Sequence, residues 1–163
     1  LPQELVDKII LIAKEKNLMI VADSQSSSQV GNIARFKNIN LITPTEREAR
    51  LSMRNNQAGL IVLLQELYSD AHPENTILKL GADGLLVFSK RDKDFLTDNL
   101  SAYNNNPVDV AGAGDSLLVV SSLVIAMGGS IWESALLGSL ASAVQVSKVG
   151  NFPLKAQEII DLI

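Results

Sequence analysis

The chain has 163 residues, of which 47% are hydrophobic and 20% are charged, which is enough for one domain with a sizeable core. The net charge of −4 argues against a general nucleic-acid-binding surface. Because the chain contains no cysteine, disulfide bonds and thiolate metal sites are excluded.

Neither end of the chain has the pattern of a targeting or membrane-spanning segment. Residues 1–12 lack the basic lead and the continuous apolar core of a signal peptide. The apolar run that starts at Leu117 is interrupted by Gly128 and Gly129 before it reaches the length that spans a bilayer. We therefore expect a cytoplasmic protein without a membrane partner.

The first part of the chain alternates between helical and extended patterns. Leu5, Ile9, Ile12 and Ala13 follow helical spacing and are predicted to share one apolar face of the first helix. The predicted elements of this part are a helix over 2–16, a strand over 18–22, a short helix over 30–36, a strand over 39–43 and a helix over 56–69.

Two acidic residues follow the predicted strands. Asp23 lies at the end of the strand over 18–22, where ligands of open α/β sheets gather. A turn before the serine-rich loop over 24–29 also accounts for Asp23 and is favoured, since Asp and Ser are common turn residues. Thr45 and Glu48 have the spacing of a capping box, which by itself explains Glu48 as a structural residue.

The second part of the chain contains a hairpin signal and a pair of long helices. Two glycines in the segment 81–84 predict a hairpin between strands over 76–80 and 85–88. A charged turn over 91–94 and strand material over 95–103 come next. Helices follow over 116–127, 131–148 and 154–163, the first of them apolar enough to be buried, and Ser130 and Glu133 form a second capping pattern.

The segment Asp109-Val110-Ala111-Gly112-Ala113-Gly114-Asp115-Ser116 carries the main functional signal. A Gly-x-Gly turn that opens a helix leaves amide groups without internal partners, and the helix dipole favours an anion there. A carboxylate in the first helical turn then suits phosphoryl transfer, because Asp115 can accept a hydroxyl proton while the amides stabilise the moving phosphoryl group. A tight strand-to-helix connection, with Asp115 as an ordinary helix-start residue, explains the turn equally well.

Two familiar phosphate-binding patterns do not fit this turn. A Walker A loop requires Gly-x-x-x-x-Gly-Lys-Ser/Thr, and no such string occurs. The dinucleotide fingerprint requires a third glycine, and Leu117 occupies that position.

The turn resembles the Asp-Thr-x-Gly-Ala-Gly-Asp signature of the ribokinase-like (PfkB) carbohydrate kinases. Other segments resemble the same family in the same order, from about Leu18 to Gly150. The family's Thr-Pro-Asn-x-x-Glu-Ala segment is similar to Ile42-Thr43-Pro44-Thr45-Glu46-Arg47-Glu48-Ala49, and its Thr-x-Gly-x-x-Gly hairpin is similar to residues 77–87. The family's loop after the second C-terminal helix is similar to Val146-Ser147-Lys148-Val149-Gly150. Within the family, the spacing is most similar to the heptose-phosphate kinases of the ADP-heptose pathway.

This resemblance implies a fold and a domain plan. The fold is a ribokinase-like three-layer α/β/α sandwich with a mainly parallel sheet. Kinases of this family are considerably longer, so residues 1–163 are expected to form the C-terminal part of a single kinase domain. The missing N-terminal part would carry the lid and most of the sugar site.

The resemblance also assigns roles to individual residues. Those expected to act in catalysis are the proposed base Asp115 and the anion-hole amides of Gly112, Ala113 and Gly114. Those expected to border the nucleotide are Lys79, Gly81, Gly84, Ser139, Val149 and Gly150, although tight helix packing explains Ser139 equally well. Those expected near metal ions are Glu48, for hydrated Mg²⁺, and Asp109, beside a monovalent cation in some members. Thr45 replaces the family's asparagine and Val110 its threonine.

The resemblance predicts ATP-dependent phosphoryl transfer to a sugar or sugar phosphate, with ATP and Mg²⁺ as cofactors, an optional monovalent cation and a possible homodimer. A second class is a non-catalytic nucleotide-binding or regulatory module that retains the fold, which the replacements at Thr45 and Val110 would fit. A further alternative is that the chain forms the kinase part of a bifunctional protein that also contains a nucleotidyltransferase. A Rossmann-type oxidoreductase is a remote third class.

Overall fold

A computed structural model of the protein describes residues 1–24 and 31–163. The helices of this part are α1 (Gln3–Glu15), α2 (Glu46–Met53), α3 (Leu60–Ala71), α4 (Ala113–Ala126), α5 (Ile131–Gln145) and α6 (Ala156–Ile160). The strands are β1 (Val21–Ala22), β2 (Leu41–Ile42), β3 (Asn75–Lys79), β4 (Leu85–Arg91) and β5 (Asp94–Leu100). The predicted loop over 24–29 falls outside the described residues except for Ser24, as does Val30. Within the short helix predicted over 30–36, a single 3₁₀ turn forms at Ile33–Arg35.

The described strands form one mixed sheet in the order β1-β2-β3-β4-β5. The pairs β1–β2 and β2–β3 are parallel, and Val21 lies opposite Leu41 and Leu41 opposite Asn75. Short turns connect the last three strands: the 3₁₀ turn Gly81–Asp83 lies between β3 and β4, and the charged pair at 92–93 lies between β4 and β5. This confirms the predicted α/β class and the hairpin, and the parallel pairing is confined to β1–β3.

The chain divides into two compact units, so the single kinase domain stays a prediction. The first contains residues 1–78 and 88–96, and the second contains residues 79–87 and 97–163. The core of the first unit consists of buried side chains from its strands and α3, among them Leu41, Ile42, Leu63, Leu64 and Ile77. The core of the second unit is built mainly by α4 and α5, with Leu117, Ile131, Ala135 and Leu140 buried.

The apolar face predicted for the first helix is the buried face only at Ala13. Val6, Ile10 and Ala13 are the buried residues of α1, whereas Leu5 and Ile9 are more than 40% exposed. Both sets have helical spacing, so the sequence pattern contains two apolar stripes and the tertiary structure decides which one is covered.

The prediction that the apolar helix after Asp115 is buried is wrong. Only Leu117 and Ser121 of α4 are buried, and the outward stripe Val119, Leu123 and Met127 is more than half exposed. In the described part of the chain, no helix combines the length and the apolar content that crossing a membrane requires.

Helices α4 and α5 approach closely because small residues line their contact. A Cβ atom on Gly138 would overlap the hydroxyl oxygen of Ser121 and approach the carbonyl oxygen of Leu117 to 3.1 Å. Ser121 and Ser134 exchange side-chain-to-backbone hydrogen bonds, each 3.0 Å long. These buried bonds fix the two helices without a charged group.

Candidate active site

The start of α4 is shaped by Gly112. This residue is the N-cap and has a φ of +76°, which a glycine adopts without strain, and it has no side chain to cap the helix. The amide of Ser116 donates to its carbonyl oxygen at 2.9 Å and so begins the helical bonding. Helix α4 therefore begins three residues earlier than the predicted start at Ser116, with the Gly-x-Gly turn forming its first turn.

Several amides at this helix start have no acceptor among the described residues. Within the described residues, the N–H groups of Gly112, Gly114 and Asp115 donate to no acceptor, whereas the amide of Ala113 makes a 3.3 Å bond to the carbonyl oxygen of Val110. Unpaired amides at the positive end of a helix dipole are suited to binding an anion. Of the three predicted anion-hole amides, Ala113 therefore shares its hydrogen with Val110.

Asp115 occupies the third helical position and is exposed. Its carboxylate makes no hydrogen bond to the described part of the chain, and it does not fold back onto the amide of Gly112. The helix start thus presents a carboxylate beside unpaired amides, an arrangement that can accept a proton from a hydroxyl next to a bound phosphate.

Asp109 ties the turn before α4 to the loop after α5. One of its carboxylate oxygens, Oδ1, accepts from the amide of Ala111 at 3.0 Å, and Oδ2 accepts from the amide of Gly150 at 2.8 Å. These two bonds, with that of Ala111 the stronger influence, hold the pKa of Asp109 below its ordinary value. The structure therefore brings together Asp109, Gly150 and the turn that opens α4.

Sequence reasoning missed Gln145, the last residue of α5, which contacts this loop. The Nε2 group of Gln145 donates to the carbonyl oxygen of Gly150 at 2.9 Å. The carboxamide of Asn151 lies against Gly112, where a Cβ atom would come within 2.6 Å of its Oδ1. A glutamine among Ala143, Val144 and Val146 was the available signal for Gln145.

Helix α5 supports the same turn and contains Ser139. The hydroxyl of Ser142 donates to the carbonyl oxygen of Ala113 at 2.7 Å and so holds the first turn of α4. Ser139 itself is 7% exposed, which is compatible with close helix packing. Its contact with adenine stays a prediction.

The hairpin residues Lys79, Gly81 and Gly84 lie in the same unit, at the turn between β3 and β4. Gly84 has a φ of +90°, and a Cβ atom there would overlap the carbonyl oxygen of Leu100, so backbone packing alone requires glycine. Gly81 has a φ of +64° with open space around it. Open space beside Gly81 fits an approaching ligand, whereas Gly84 has a sufficient structural explanation.

Glu48 lies in the other unit and completes the predicted capping box. Its Oε2 accepts from the amide of Thr45 at 2.7 Å, and its own amide donates to the hydroxyl of Thr45 at 3.2 Å. The side chain is 5% exposed. Across residues 1–24 and 31–163, no group of three or more His, Cys, Asp or Glu side chains is arranged to hold a metal ion. Any Mg²⁺ at Glu48 would therefore take most of its ligands from water and phosphate.

Comparison with known proteins identifies the family. Residues 1–155 match the model of the pfkB family carbohydrate kinases, and the chain therefore belongs to this family.

Curated relatives share this similarity along almost the whole chain. Bifunctional protein HldE of Desulfatibacillum aliphaticivorans is 27% identical over 162 residues, which are 98% of this chain and 32% of the relative. The protein of the same name from Campylobacter jejuni subsp. jejuni is 29% identical over 154 residues, 93% of this chain and 32% of the relative. The chain spans about a third of the length of these relatives.

Solved structures establish the ribokinase-like α/β fold. Phosphofructokinase-2 from Escherichia coli in complex with potassium superposes with a TM-score of 0.83 and 17% identity, over 99% of this chain and 52% of that one. Arabidopsis thaliana ribokinase complexed with ribose and ATP gives a TM-score of 0.80 and 18% identity, with the same coverage. At this level of identity, the likeness concerns the fold alone.

Proposed function

We propose that the protein transfers the terminal phosphoryl group of ATP to a hydroxyl of a sugar or sugar phosphate. The observation that carries this proposal is the start of α4, where the Asp115 carboxylate has no partner in the described chain and lies beside the unpaired amides of Gly112 and Gly114. At the starts of α2 and α5, by contrast, the N-cap side chain and the glutamate at the third helical position accept from each other's amides.

In the proposed reaction, each group at the helix start has one task. Asp115 accepts the proton of the acceptor hydroxyl while that oxygen forms a bond to the γ-phosphorus, and the bond from phosphorus to the bridging oxygen of ADP breaks. The amides of Gly112, Ala113 and Gly114 stabilise negative charge on the phosphoryl oxygens. The Asp115 side chain is exposed, so a hydroxyl can reach it without a rearrangement of its neighbours.

The nucleotide is proposed to lie along the second unit. Lys79, Gly81 and Gly84 would border its phosphates and ribose, and Ser139, Val149 and Gly150 would line the adenine. Val149 is 70% exposed, which leaves an apolar surface for a purine. The support for this assignment is the family membership together with the contact between the Gly150 loop and the α4 turn.

Two cations are part of the proposal. Mg²⁺ bound to ATP would neutralise phosphate charge, and Glu48 would hold it through water, since Mg²⁺ usually keeps several of its water ligands. A monovalent cation would lie by Asp109, whose carboxylate is ionised near neutral pH as that of any ordinary Asp is. The structural relative with potassium in its complex supports such a cation.

The acceptor is proposed to be a heptose phosphate, because the spacing of the Lys148-Val149-Gly150 segment resembles the heptose-phosphate kinases and the curated relatives are named HldE. These relatives are described as bifunctional and are about three times as long as the matched segment. A nucleotidyltransferase part in the same protein, and assembly into a homodimer, belong to this proposal.

The test is ADP release by the whole gene product with Mg-ATP, across a panel of free sugars, hexose phosphates and heptose phosphates. We expect turnover with a heptose phosphate that is lost in Asp115→Asn while ATP binding is retained. Turnover in Asp115→Asn close to that of the wild type would refute the assignment of the base.

A second candidate function is a nucleotide-binding module without catalysis, which the replacements at Thr45 and Val110 favour. ATP binding without ADP release on any acceptor in the same panel would support this second candidate over the kinase.

A further inference from the structure

Gln145 is a polar side chain in an apolar environment. It is the last residue of α5 and 1% exposed, and its neighbours Val144 and Val146 are buried as well. Its Oε1 atom is buried and has no hydrogen-bond partner in the described structure. A buried amide with an unpaired oxygen costs stability. For folding alone, an aliphatic side chain of similar length would serve as well.

What Gln145 adds is a hydrogen bond to the loop after α5. Its Nε2 group donates to the carbonyl oxygen of Gly150 at 2.9 Å, while the amide of Gly150 donates to Asp109 at 2.8 Å. Both peptide groups of Gly150 are therefore held, one by each side chain. Gly150 has a φ of +82°, so the held conformation is one that most other residues adopt only with strain.

The same contacts continue to the start of α4. The amides of Val108 and Asp109 donate to the carbonyl oxygen of Val146, at 2.7 and 3.3 Å. Asp109 accepts from Ala111, next to Gly112. Gln145 thus lies at one end of a chain of bonds that joins the end of α5, the loop and the anion-binding turn.

We propose that Gln145 is a positioning residue for nucleotide binding: through Gly150 it fixes the 146–151 loop against the turn that precedes α4. This inference rests on the proposed function, in which the nucleotide contacts both the loop and the turn. A ligand that spans two segments binds more tightly when their relative placement is fixed beforehand. Gln145 is not a catalytic residue, because its side chain is enclosed by protein and touches no reacting atom.

The test compares Gln145→Met with Ser134→Ala in the whole protein. Methionine keeps the length and burial of Gln145 but removes the donor. Ser134→Ala is the matched control, since it removes a buried side-chain hydrogen bond of the same unit that lies between α4 and α5, away from the loop. Gln145→Leu is a second variant in case methionine alters the packing.

Two measurements separate positioning from general packing. Hydrogen–deuterium exchange of residues 146–152 is expected to rise in Gln145→Met and to stay unchanged in Ser134→Ala. The Kd for ATP and the KM for ATP are expected to rise about 3- to 10-fold in Gln145→Met, the effect of one ordinary hydrogen bond. The kcat at saturating ATP is expected to stay at the wild-type value.

Three outcomes would overturn the inference, and they are distinguishable. Equal loss of ATP affinity in Gln145→Met and Ser134→Ala would show a packing effect. Faster exchange of the loop in Gln145→Met with unchanged ATP affinity would show that the loop does not contact the nucleotide. In that case, ATP binding by the wild type would still support the proposed function. Absence of ATP binding by the wild type would remove the proposed function together with the inference.

Discussion

Four helices in the described part of the chain have an acidic residue at the third helical position. In three of them its carboxylate accepts a hydrogen bond from the amide of the N-cap residue, and in α6 this pair is Glu158 and Lys155. In α2, Glu48 accepts from the amide of Thr45, and in α5, Glu133 accepts from the amide of Ser130. Both form complete capping boxes. In α4, Gly112 takes the place of the capping Thr or Ser, and Asp115 makes no such bond.

The difference separates structural carboxylates from the one proposed to act in chemistry. A carboxylate that satisfies the first amides of its own helix is committed to folding. At α4 the glycine provides no cap, so both the amides and the carboxylate remain available to a ligand. The ordinary helix-start explanation of Asp115 is weakened by this comparison, since α2, α5 and α6 each use the carboxylate at the third helical position to accept from the N-cap amide.

The sharpest test of this comparison exchanges the third-position acids for their amides. We expect Asp115→Asn to lower kcat for ADP release by about 10²- to 10⁴-fold, the usual contribution of a general base. Glu133→Gln is expected to keep kcat at the wild-type level, because Glu133 only caps α5. Steady-state kinetics of both variants at saturating ATP provide the comparison; equal kcat values would contradict the distinction between the two carboxylates.

The second test concerns the glycine that replaces the cap. Alanine at Gly112 is expected to cost about 1–2 kcal/mol of stability for its positive φ, and more because its Cβ atom would meet the Asn151 carboxamide. Gly128→Ala is the matched control, with a φ of +86° and no atom within 4 Å of the added Cβ.

Chemical denaturation and ATP titration measure the difference between these two glycine variants. Gly112→Ala is expected to lose both stability and ATP affinity, and Gly128→Ala stability alone. Adding Asn151→Ala to Gly112→Ala should restore part of the loss. An ATP affinity in Gly112→Ala that equals the wild-type value would count against an anion site at the start of α4.

Removal of an ordinary cap is expected to have a smaller effect. Ser130→Ala leaves the amide of Glu133 without its acceptor and should lower the free energy of unfolding by about 1 kcal/mol. Ser130 lies at the N-terminal end of α5, whereas Gly150 follows the C-terminal end of this helix. The KM for ATP should therefore not change. A denaturant titration and a KM measurement check both points, and a raised KM would show that this cap also serves the site.

The smallest expected effect is the pH dependence of Asp109. Its pKa lies below 3.8 in the folded chain, first because of the amide of Ala111 and then because of that of Gly150. A depressed pKa stabilises the folded chain at pH values above 3.8, and the contribution is lost as the pH falls through the folded pKa.

The free energy of unfolding of the wild type minus that of Asp109→Asn isolates this contribution. Glu133 and Glu158 also have lowered pKa values, so the wild type alone would report their sum. The difference is expected to be constant near neutral pH and to shrink below pH 3.8. A difference that is the same at pH 7 and pH 3 would show that the Asp109 bonds do not depend on its charge.

The sequence predicted best those structural features that depend on residues close to one another in the chain. The capping boxes at Thr45 and Ser130 follow from a spacing of three residues, and the hairpin at Gly81–Asp83 follows from its glycines. These features depend on bonds between near neighbours, so the pattern alone specifies them. The α/β class and the family, with the candidate turn over 109–116, could be recognised in the same way.

The tertiary structure alone decided what depends on distant parts of the chain. The apolar stripes of α1 and α4 are ambiguous in the sequence, and packing selects Val6 and Ile10 on one helix and leaves Leu123 exposed on the other. The bond from Gly150 to Asp109 joins residues 41 positions apart, and the place of Gln145 behind it follows from the packing of α4 and α5. No local spacing encodes such contacts, because they form only when separate helices bring their ends together.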